Sequence, residues 1–288
     1  MKRPVLFLGV ILVVGVSYLL MQTRNLETPQ EKVLEKPEEK PLEEIPVRKE
    51  EISEVRLTIV YDNNPSDDRL GTDWGFGCIV EVGDRNILFD TGADAETLLA
   101  NMQTLSIDPQ KINIIVLSHI HGDHVGGLFG VLERNSEVKV FLPSSFSQSF
   151  KDRVKSFGAT VVEVSDPSPI TKRVLTTGEM GTLIREQALI VETEKGLVVI
   201  TGCAHPGVVN MVKKAKKITE QEVYLVMGGF HLSGASDSQL RDIVKDFRAL
   251  GVQKVAPCHC SGDRCRELFK KEYGSGYIEA GVGKIFDL

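Results

Sequence analysis

The stretch Ser118-His119-Ile120-His121-Gly122-Asp123-His124 decides the fold that we expect of this chain. It places three imidazoles and one carboxylate within six residues, directly after the apolar run Ile112–Leu117. Imidazole and carboxylate are ligand types that zinc, iron and manganese take from proteins. Adjacent and alternating positions of an extended chain point opposite ways, so four such side chains suit two ions rather than one. A hydrogen-bonded polar turn is the alternative interpretation.

The other three histidines follow other predicted strands. The chain contains six histidines in all, and His205, His231 and His259 follow the apolar runs Leu197–Ile200, Val223–Val226 and Lys254–Ala256. In layered α/β folds, ligand sites form at the carboxyl ends of strands. We therefore expect the histidines to meet at one edge. The spacing H-E-x-x-H does not occur, which excludes a helical zinc site of that type.

Short apolar runs rich in β-branched residues alternate with helical patterns, which predicts an α/β domain whose sheets are covered by helices. The further predicted strands are Val55–Tyr61, Cys78–Val82, Asn86–Phe89, Val138–Leu142, Thr160–Val164 and Leu189–Glu192. The predicted helices are Ala95–Met102, Phe146–Ser156, Val208–Lys217 and Ser236–Leu250. The loops 63–77 and 165–185 are left without regular structure.

Four residues near the histidines are candidates to support metal binding rather than to bind metal. Asp90 closes the strand Asn86–Phe89, where it either caps the next helix or orients a metal-bound imidazole. Cys203, Cys258 and Cys260 flank His205 and His259. Cys258 and Cys260 point the same way in a strand and His259 the opposite way, so we expect these thiols beside the ions or in the core. Oxidation is the alternative if the domain lies outside the cytoplasm.

Composition restricts the class of protein. Of 288 residues, 42% are apolar, and 34 basic residues stand against 40 acidic ones for a net charge of −6. This composition excludes a disordered chain and argues against a nucleic-acid binder, which would carry a basic surface. We expect a small-molecule partner. The odd number of five cysteines excludes a complete disulfide framework and indicates mostly free thiols.

The first 53 residues differ in composition from the rest. Residues 5–21 form an uncharged apolar run of seventeen residues after Lys2 and Arg3, at the short end of what spans a bilayer. We therefore predict a transmembrane anchor over 1–24, a Glu/Pro/Lys-rich linker over 25–53 and one domain over 54–288. The positive-inside rule places that domain outside the cytoplasm, on a single-pass membrane protein. A signal-peptide core is the alternative.

The motifs Ile87-Leu88-Phe89-Asp90-Thr91-Gly92 and 118–128, followed by isolated His205 and His259, resemble the metallo-β-lactamase-fold superfamily. The resemblance covers nearly all of 54–288. It implies an αββα sandwich with a metal pair at one edge of the two sheets. It also implies that His119, His121 and His205 hold the first ion, and Asp123, His124 and His259 the second.

Four segments, 60–64, 201–210, 228–232 and 257–262, resemble the dihydropterin–ribofuranosylaminobenzene-phosphate synthase branch, which is linked to methanopterin biosynthesis. One departure from the wider superfamily is that Phe230-His231-Leu232 stands where many members have a bridging Asp. An imidazole does not bridge two ions as a carboxylate can. His231 therefore either binds one metal or hydrogen-bonds a substrate phosphate or leaving group, with a structural role third. Asp237 is an alternative carboxylate at a predicted helix start.

Three functions fit these residues. The first is hydrolysis of a small-molecule ester or phosphoester by a metal-activated water, with Asp123 and His231 as catalytic residues. The second is a synthase-like transferase with a pyrophosphate leaving group, and the third is a redox or non-catalytic metal-binding module. We expect two divalent ions, zinc before manganese or iron, since di-iron members usually have Glu where His121 stands. A membrane location favours the hydrolase over a cytoplasmic pterin enzyme.

Overall fold

The structure is a computed structural model and describes residues 54–288, in which thirteen strands and seven helices are found. The strands are β1 (Val55–Asp62), β2 (Phe76–Val82), β3 (Arg85–Phe89), β4 (Ile114–Val116), β5 (Lys139–Pro143), β6 (Thr160–Val164), β7 (Ser168–Thr171), β8 (Val174–Thr176), β9 (Leu189–Thr193), β10 (Gly196–Thr201), β11 (Val223–Gly229), β12 (Lys254–Cys258) and β13 (Ile285–Asp287). The helices are α1 (Ala95–Thr104), α2 (Gly122–Val125), α3 (Leu128–Arg134), α4 (Gln148–Ser156), α5 (Val208–Thr219), α6 (Asp237–Ala249) and α7 (Asp263–Tyr273).

The strands form two sheets that pack face to face. The first has the order β13-β1-β2-β3-β4-β5-β6, and the second has the order β12-β11-β10-β9-β8-β7. Alternate residues of β1, such as Leu57 and Ile59, share one buried cluster with Val198 and Ile200 of β10. Burial of this apolar surface between the sheets is the main stabilising contribution to such a sandwich.

Helices cover both outer faces of the sandwich. Buried residues of α1, α3 and α4, among them Leu98 and Val131, pack with the outward side chains of the first sheet. Met211 of α5, Phe247 of α6 and Phe269 of α7 do the same for the second sheet. The αββα architecture predicted from the sequence is therefore confirmed.

Strand direction brings the loops that carry the histidines to one edge. The pairs β3–β4, β4–β5 and β5–β6 are parallel in the first sheet, and β10–β11 and β11–β12 are parallel in the second. Parallel neighbours end at the same edge of their sheet. The segments that follow β3, β4, β10, β11 and β12 carry all six histidines and Asp90.

The predicted elements exist in the structure, but others were missed. The strands β7, β8 and β13 and the helices α2, α3 and α7 have no counterpart among the predictions. The β7 sequence, Ser168-Pro169-Ile170-Thr171, is polar and contains a proline, and this strand lies at the edge of its sheet. Edge strands tolerate such sequences, so the apolar pattern that reveals central strands is absent there.

The predicted membrane location is contradicted. Across residues 54–288, no helix is both long and apolar enough to cross a membrane. The longest helix in that range, α6, has 13 residues. At a rise of about 1.5 Å per residue it is shorter than the roughly 30 Å hydrocarbon core. The predicted anchor over 1–24 and linker over 25–53 lie outside the described residues.

Candidate metal centre

Three imidazoles meet at the sandwich edge and form the first candidate ligand group. The ring centroids of His119, His121 and His205 lie 4.6–4.8 Å apart, and one nitrogen from each ring lies within 4.8 Å of the others. The Nδ1 atom of His119 lies 2.9 Å from the Ser118 hydroxyl. Its buried Nε2 atom has no hydrogen-bond partner among the described residues. A buried polar atom is normally paired, so this nitrogen fits a metal ion.

A second group lies beside the first. It consists of Asp123, His124, Cys203 and His259, whose ligand atoms all lie within 4.8 Å of one another. Asp123 Oδ2 is 3.5 Å from His124 Nε2 and 3.4 Å from His259 Nε2. Cys203 also belongs to a third group with His205 and His231. The structure thus brings together all the residues predicted to hold two ions, and their assignment as ligands stays a prediction.

Asp90 holds the histidine loop through a buried network. Its carboxylate accepts hydrogen bonds from the Ser118 amide at 2.7 Å and the Ser118 hydroxyl at 2.6 Å, and lies 2.7 Å from His124 Nδ1. Complete burial raises the pKa of Asp90 to about 7. Asp94, not Asp90, caps α1. Asp90 therefore contacts the His124 ring instead of capping α1, and its role in orienting a metal-bound imidazole stays a prediction.

Glu186 plays the same part for His205 and was not predicted. Its fully buried carboxylate lies 2.8 Å from His205 Nδ1 and accepts hydrogen bonds from the backbone amides of Cys203, Ala204 and His205. Burial alone would raise its pKa, but these hydrogen bonds outweigh burial and lower the pKa to about 2. Glu186 directly follows the predicted loop 165–185 and stands 17 residues before Cys203. Its spacing in the sequence therefore did not indicate that it contacts His205.

His259 is held by the segment that follows β1. Its Nδ1 atom lies 3.1 Å from Asn63 Oδ1, and its backbone amide donates to the buried Asp62 carboxylate at 3.1 Å. A carboxylate or amide partner on the second nitrogen fixes the tautomer and ring orientation of a metal-binding histidine. The segment 60–64, quoted above only for its family resemblance, therefore positions a candidate ligand.

Burial keeps two of the imidazoles uncharged. The pKa values of His119 and His124 are both lowered to about 3, chiefly by desolvation. A neutral imidazole has a free lone pair, which is the form that binds a metal. Burial raises the pKa of Asp123, but its hydrogen bond with the His259 ring, whose own pKa is raised, outweighs burial and holds the pKa of Asp123 well below its usual range. The site therefore presents two neutral imidazoles, those of His119 and His124, and an ionised carboxylate.

The turns that deliver these residues are strained. Six described non-glycine residues have positive φ angles, and four of them lie at this edge: Asp90, Ala204, His231 and His259, at 58°, 63°, 55° and 47°. Each directly follows a strand or lies within three residues of its end. Such angles are unfavourable for residues with a Cβ and concentrate at functional sites.

Comparison with known proteins gives the family. The profile of the metallo-beta-lactamase superfamily matches residues 78–212. The 7,8-dihydropterin-6-methyl-4-(beta-D-ribofuranosyl)-aminobenzene-5'-phosphate synthase of Methanocaldococcus jannaschii is 33% identical over 260 residues, covering 73% of this chain and 88% of the relative. The chain belongs to the metallo-beta-lactamase superfamily. The superfamily predicted from the sequence motifs is thereby confirmed.

Solved structures of this superfamily support the same assignment. The crystal structure of a metal-dependent hydrolase of the beta-lactamase superfamily matches with a TM-score of 0.68 and 28% identity, covering 81% of this chain and 99% of that one. The metallo-beta-lactamase fold protein YhfI from Bacillus subtilis matches with a TM-score of 0.63 and 14% identity, covering 82% of this chain and 100% of its own. The second match shows a shared fold.

Of the remaining predicted residues, His231 and Cys260 lie beside the candidate ligands of this superfamily member, whereas Cys258 and Asp237 lie elsewhere. The exposed ring of His231 lies 4.5 Å from the His205 ring and lines a cleft of about 200 Å³ between α5 and α6. Cys260 is buried with its sulfur 3.4 Å from that of Cys203, whereas Cys258 lies in the core between the sheets. Asp237 starts α6 and pairs with Arg264 on the surface. All five cysteines are free and buried.

Proposed function

We propose that the chain is a metal-dependent hydrolase of a small-molecule ester or phosphoester. We propose that it holds two divalent ions and that these ions are zinc in preference to manganese or iron. The observation that carries this proposal is the convergence of His119, His121 and His205 around the unpartnered, buried Nε2 of His119. Manganese and iron bind the same ligand types. The 28% identity to a metal-dependent hydrolase over nearly its whole length supports the same class.

The chain's own residues would position the reactants. Two divalent ions at this edge would acidify water toward a pKa of about 7 and neutralise negative charge on the substrate. The half-buried Asp123 carboxylate faces His124 and His259, where one oxygen can bind metal and the other can orient a water. His231 faces the cleft and can hydrogen-bond a substrate phosphate or a leaving group.

A transferase resembling the named synthase is the second candidate. Its support is the 33% identity over 88% of that relative, together with one exposed aromatic residue. Trp74 is 52% exposed, and its ring centroid lies 5.0 Å from that of His259. An exposed indole beside a ligand site can stack on a planar ring such as the pterin in the relative's name. In this function the site would hold pyrophosphate and exclude water.

Location no longer separates these two candidates, because the predicted membrane location is contradicted. Assays do separate them. The metal-loaded full-length chain should hydrolyse at least one member of a panel of phosphodiesters, lactones and thioesters, and chelation should abolish that turnover. Metal binding without hydrolysis of any of them would favour the transferase. Trp74 is the single tryptophan, so quenching of intrinsic fluorescence by a dihydropterin would further support the transferase.

A further inference from the structure

The sulfur of Cys203 lies among the ligand atoms of the second group rather than behind them. It is 3.2 Å from His124 Nε2 and 3.4 Å from His259 Nε2. The same two nitrogens lie 3.5 Å and 3.4 Å from Asp123 Oδ2. Cys203 is buried, so its thiol faces these three side chains instead of water.

These separations are compatible with four of the six edges of a tetrahedral zinc site, and the other two ligand-atom pairs lie within 4.8 Å. Zinc binds nitrogen at about 2.0–2.1 Å, oxygen at about 2.0–2.2 Å and sulfur at about 2.3 Å. Tetrahedral angles then place neighbouring ligand atoms about 3.3–3.6 Å apart. The four measured distances, from 3.2 to 3.5 Å, agree with that spacing to within a few tenths of an ångström.

The geometry points to Cys203 as a thiolate ligand of the second ion, completing a four-ligand set with Asp123, His124 and His259. This inference rests on the metal centre of the proposed function. The thiol would release its proton to solvent as the sulfur–metal bond forms, so no oxidant or reductant is needed.

One consequence concerns where the substrate reacts. Zinc sites with four protein ligands are closed, whereas catalytic zinc sites have three protein ligands and one open position. The group of Asp123, His124, Cys203 and His259 supplies four ligands, and the group of His119, His121 and His205 supplies three. The open position therefore belongs to the three-histidine site, and the second ion would stabilise the loops around it.

Cys260 provides a matched control. Its sulfur lies 3.4 Å from that of Cys203 with the geometry of an S–H donor to it, and 3.7 Å from the Cys203 carbonyl oxygen. Cys260 is absent from every candidate ligand group in residues 54–288. It is as buried as Cys203, with both residues 4% exposed, so serine substitution makes a comparable packing change at each position.

The test uses cobalt(II) as a spectroscopic substitute for zinc in the full-length chain. The wild type, stripped with a chelator, should take up two equivalents and show a near-ultraviolet sulfur-to-cobalt charge-transfer band. Cys203→Ser should lose the band and bind the second equivalent at least about tenfold more weakly, because loss of even a supporting contact costs about 10–100-fold. Cys260→Ser should keep the band. Cys203→Asp, a second variant, should bind two equivalents without the band.

Several outcomes would overturn the inference. Two bound cobalt ions without a sulfur band in the wild type would leave the metal centre intact and exclude Cys203 as a ligand. A band that persists in Cys203→Ser or Cys203→Asp, or disappears in Cys260→Ser, would exclude it as well. Failure of the wild type to bind any cobalt would instead contradict the metal centre on which the proposed function rests.

Discussion

Single residues hold three of the candidate ligand rings through one of their two nitrogens. Asp90 lies 2.7 Å from His124 Nδ1, Glu186 lies 2.8 Å from His205 Nδ1, and Asn63 lies 3.1 Å from His259 Nδ1. These partners leave the Nε2 atoms to face the centre. Because these partners already fix the orientation of the rings, an ion could bind with little rearrangement of the side chains.

Removing the charge of Glu186 tests this arrangement. We expect Glu186→Gln to weaken metal binding at the His119–His121–His205 group about 10–100-fold, because the His205 ring would lose its carboxylate partner. Equilibrium competition with a chelator would measure the affinity. Glu194→Gln, at an exposed turn, is the matched control and should bind as the wild type does. Equal affinity of all three proteins would exclude a positioning role for Glu186.

The candidate ligands could be predicted from the sequence, whereas the residues that hold them could not, and this difference has a physical cause. Histidines are few and lie at strand ends, so the sequence alone identified the candidate ligands. Glu186, Asp62 and Asn63 act through the direction of their side chains toward residues 17 or more positions away. Side-chain direction across two sheets depends on tertiary packing, which spacing in one sequence does not contain.

Close contact between elements positions the turn after β10. A Cβ atom on Gly202 would stand 2.1 Å from the Ser118 hydroxyl oxygen and 2.8 Å from an Asp90 carboxylate oxygen. These atoms belong to the network that orients the histidine loop, and the structure has no room for a methyl group there. The turn after β10 and the loop after β4 therefore depend on a glycine at this position.

We expect Gly202→Ala to lower the free energy of unfolding by about 1–3 kcal/mol, the usual cost of overpacking, and to reduce metal content as well. Chemical denaturation and elemental analysis would measure the two effects. Gly234→Ala is the matched control, since a Cβ atom there would meet nothing within 4 Å. Wild-type stability in Gly202→Ala would show that the Asp90 network tolerates displacement.

Elements with a clear apolar pattern were predicted from the sequence, and elements without one were not. The central strands β10 and β11 carry runs of Val, Leu and Ile, which burial on both faces requires. The helix α7, Asp263–Tyr273, was missed although Leu268 and Phe269 are buried. Its charged residues lower its mean hydropathy, and only its packing on β12 reveals which side is apolar.

Over the whole molecule, the buried ionisable groups make folding sensitive to acid. Burial lowers the pKa of His119 and His124 from 6.5 to about 3, and raises that of Asp90 from 3.8 to about 7. Between pH 5.5 and 4.5 the unfolded chain therefore carries close to two protons on these histidines, whereas the folded chain carries about one on Asp90. The unfolded state binds more protons, so stability falls as the pH falls.

We expect the free energy of unfolding of the metal-free chain to decrease by about 1.4 kcal/mol per pH unit from pH 5.5 to 4.5, which corresponds to one net proton, and less steeply from pH 6.5 to 5.5. Below pH 4.5 the slope should steepen, because the pKa of Glu186 is lowered from 4.5 to about 2. Urea denaturation at a series of pH values measures this. A flat profile, or stability that rises toward acid, would contradict the burial of neutral imidazoles.

Elemental analysis of the purified full-length chain tests the metal centre most directly, with His121→Ala measured beside the wild type. His121 is half-buried and belongs to the three-histidine group. We predict about two equivalents of divalent metal, mainly zinc, in the wild type and about one in His121→Ala, with hydrolytic activity lost in the variant. A wild type without bound metal, or equal metal content in both proteins, would contradict the account.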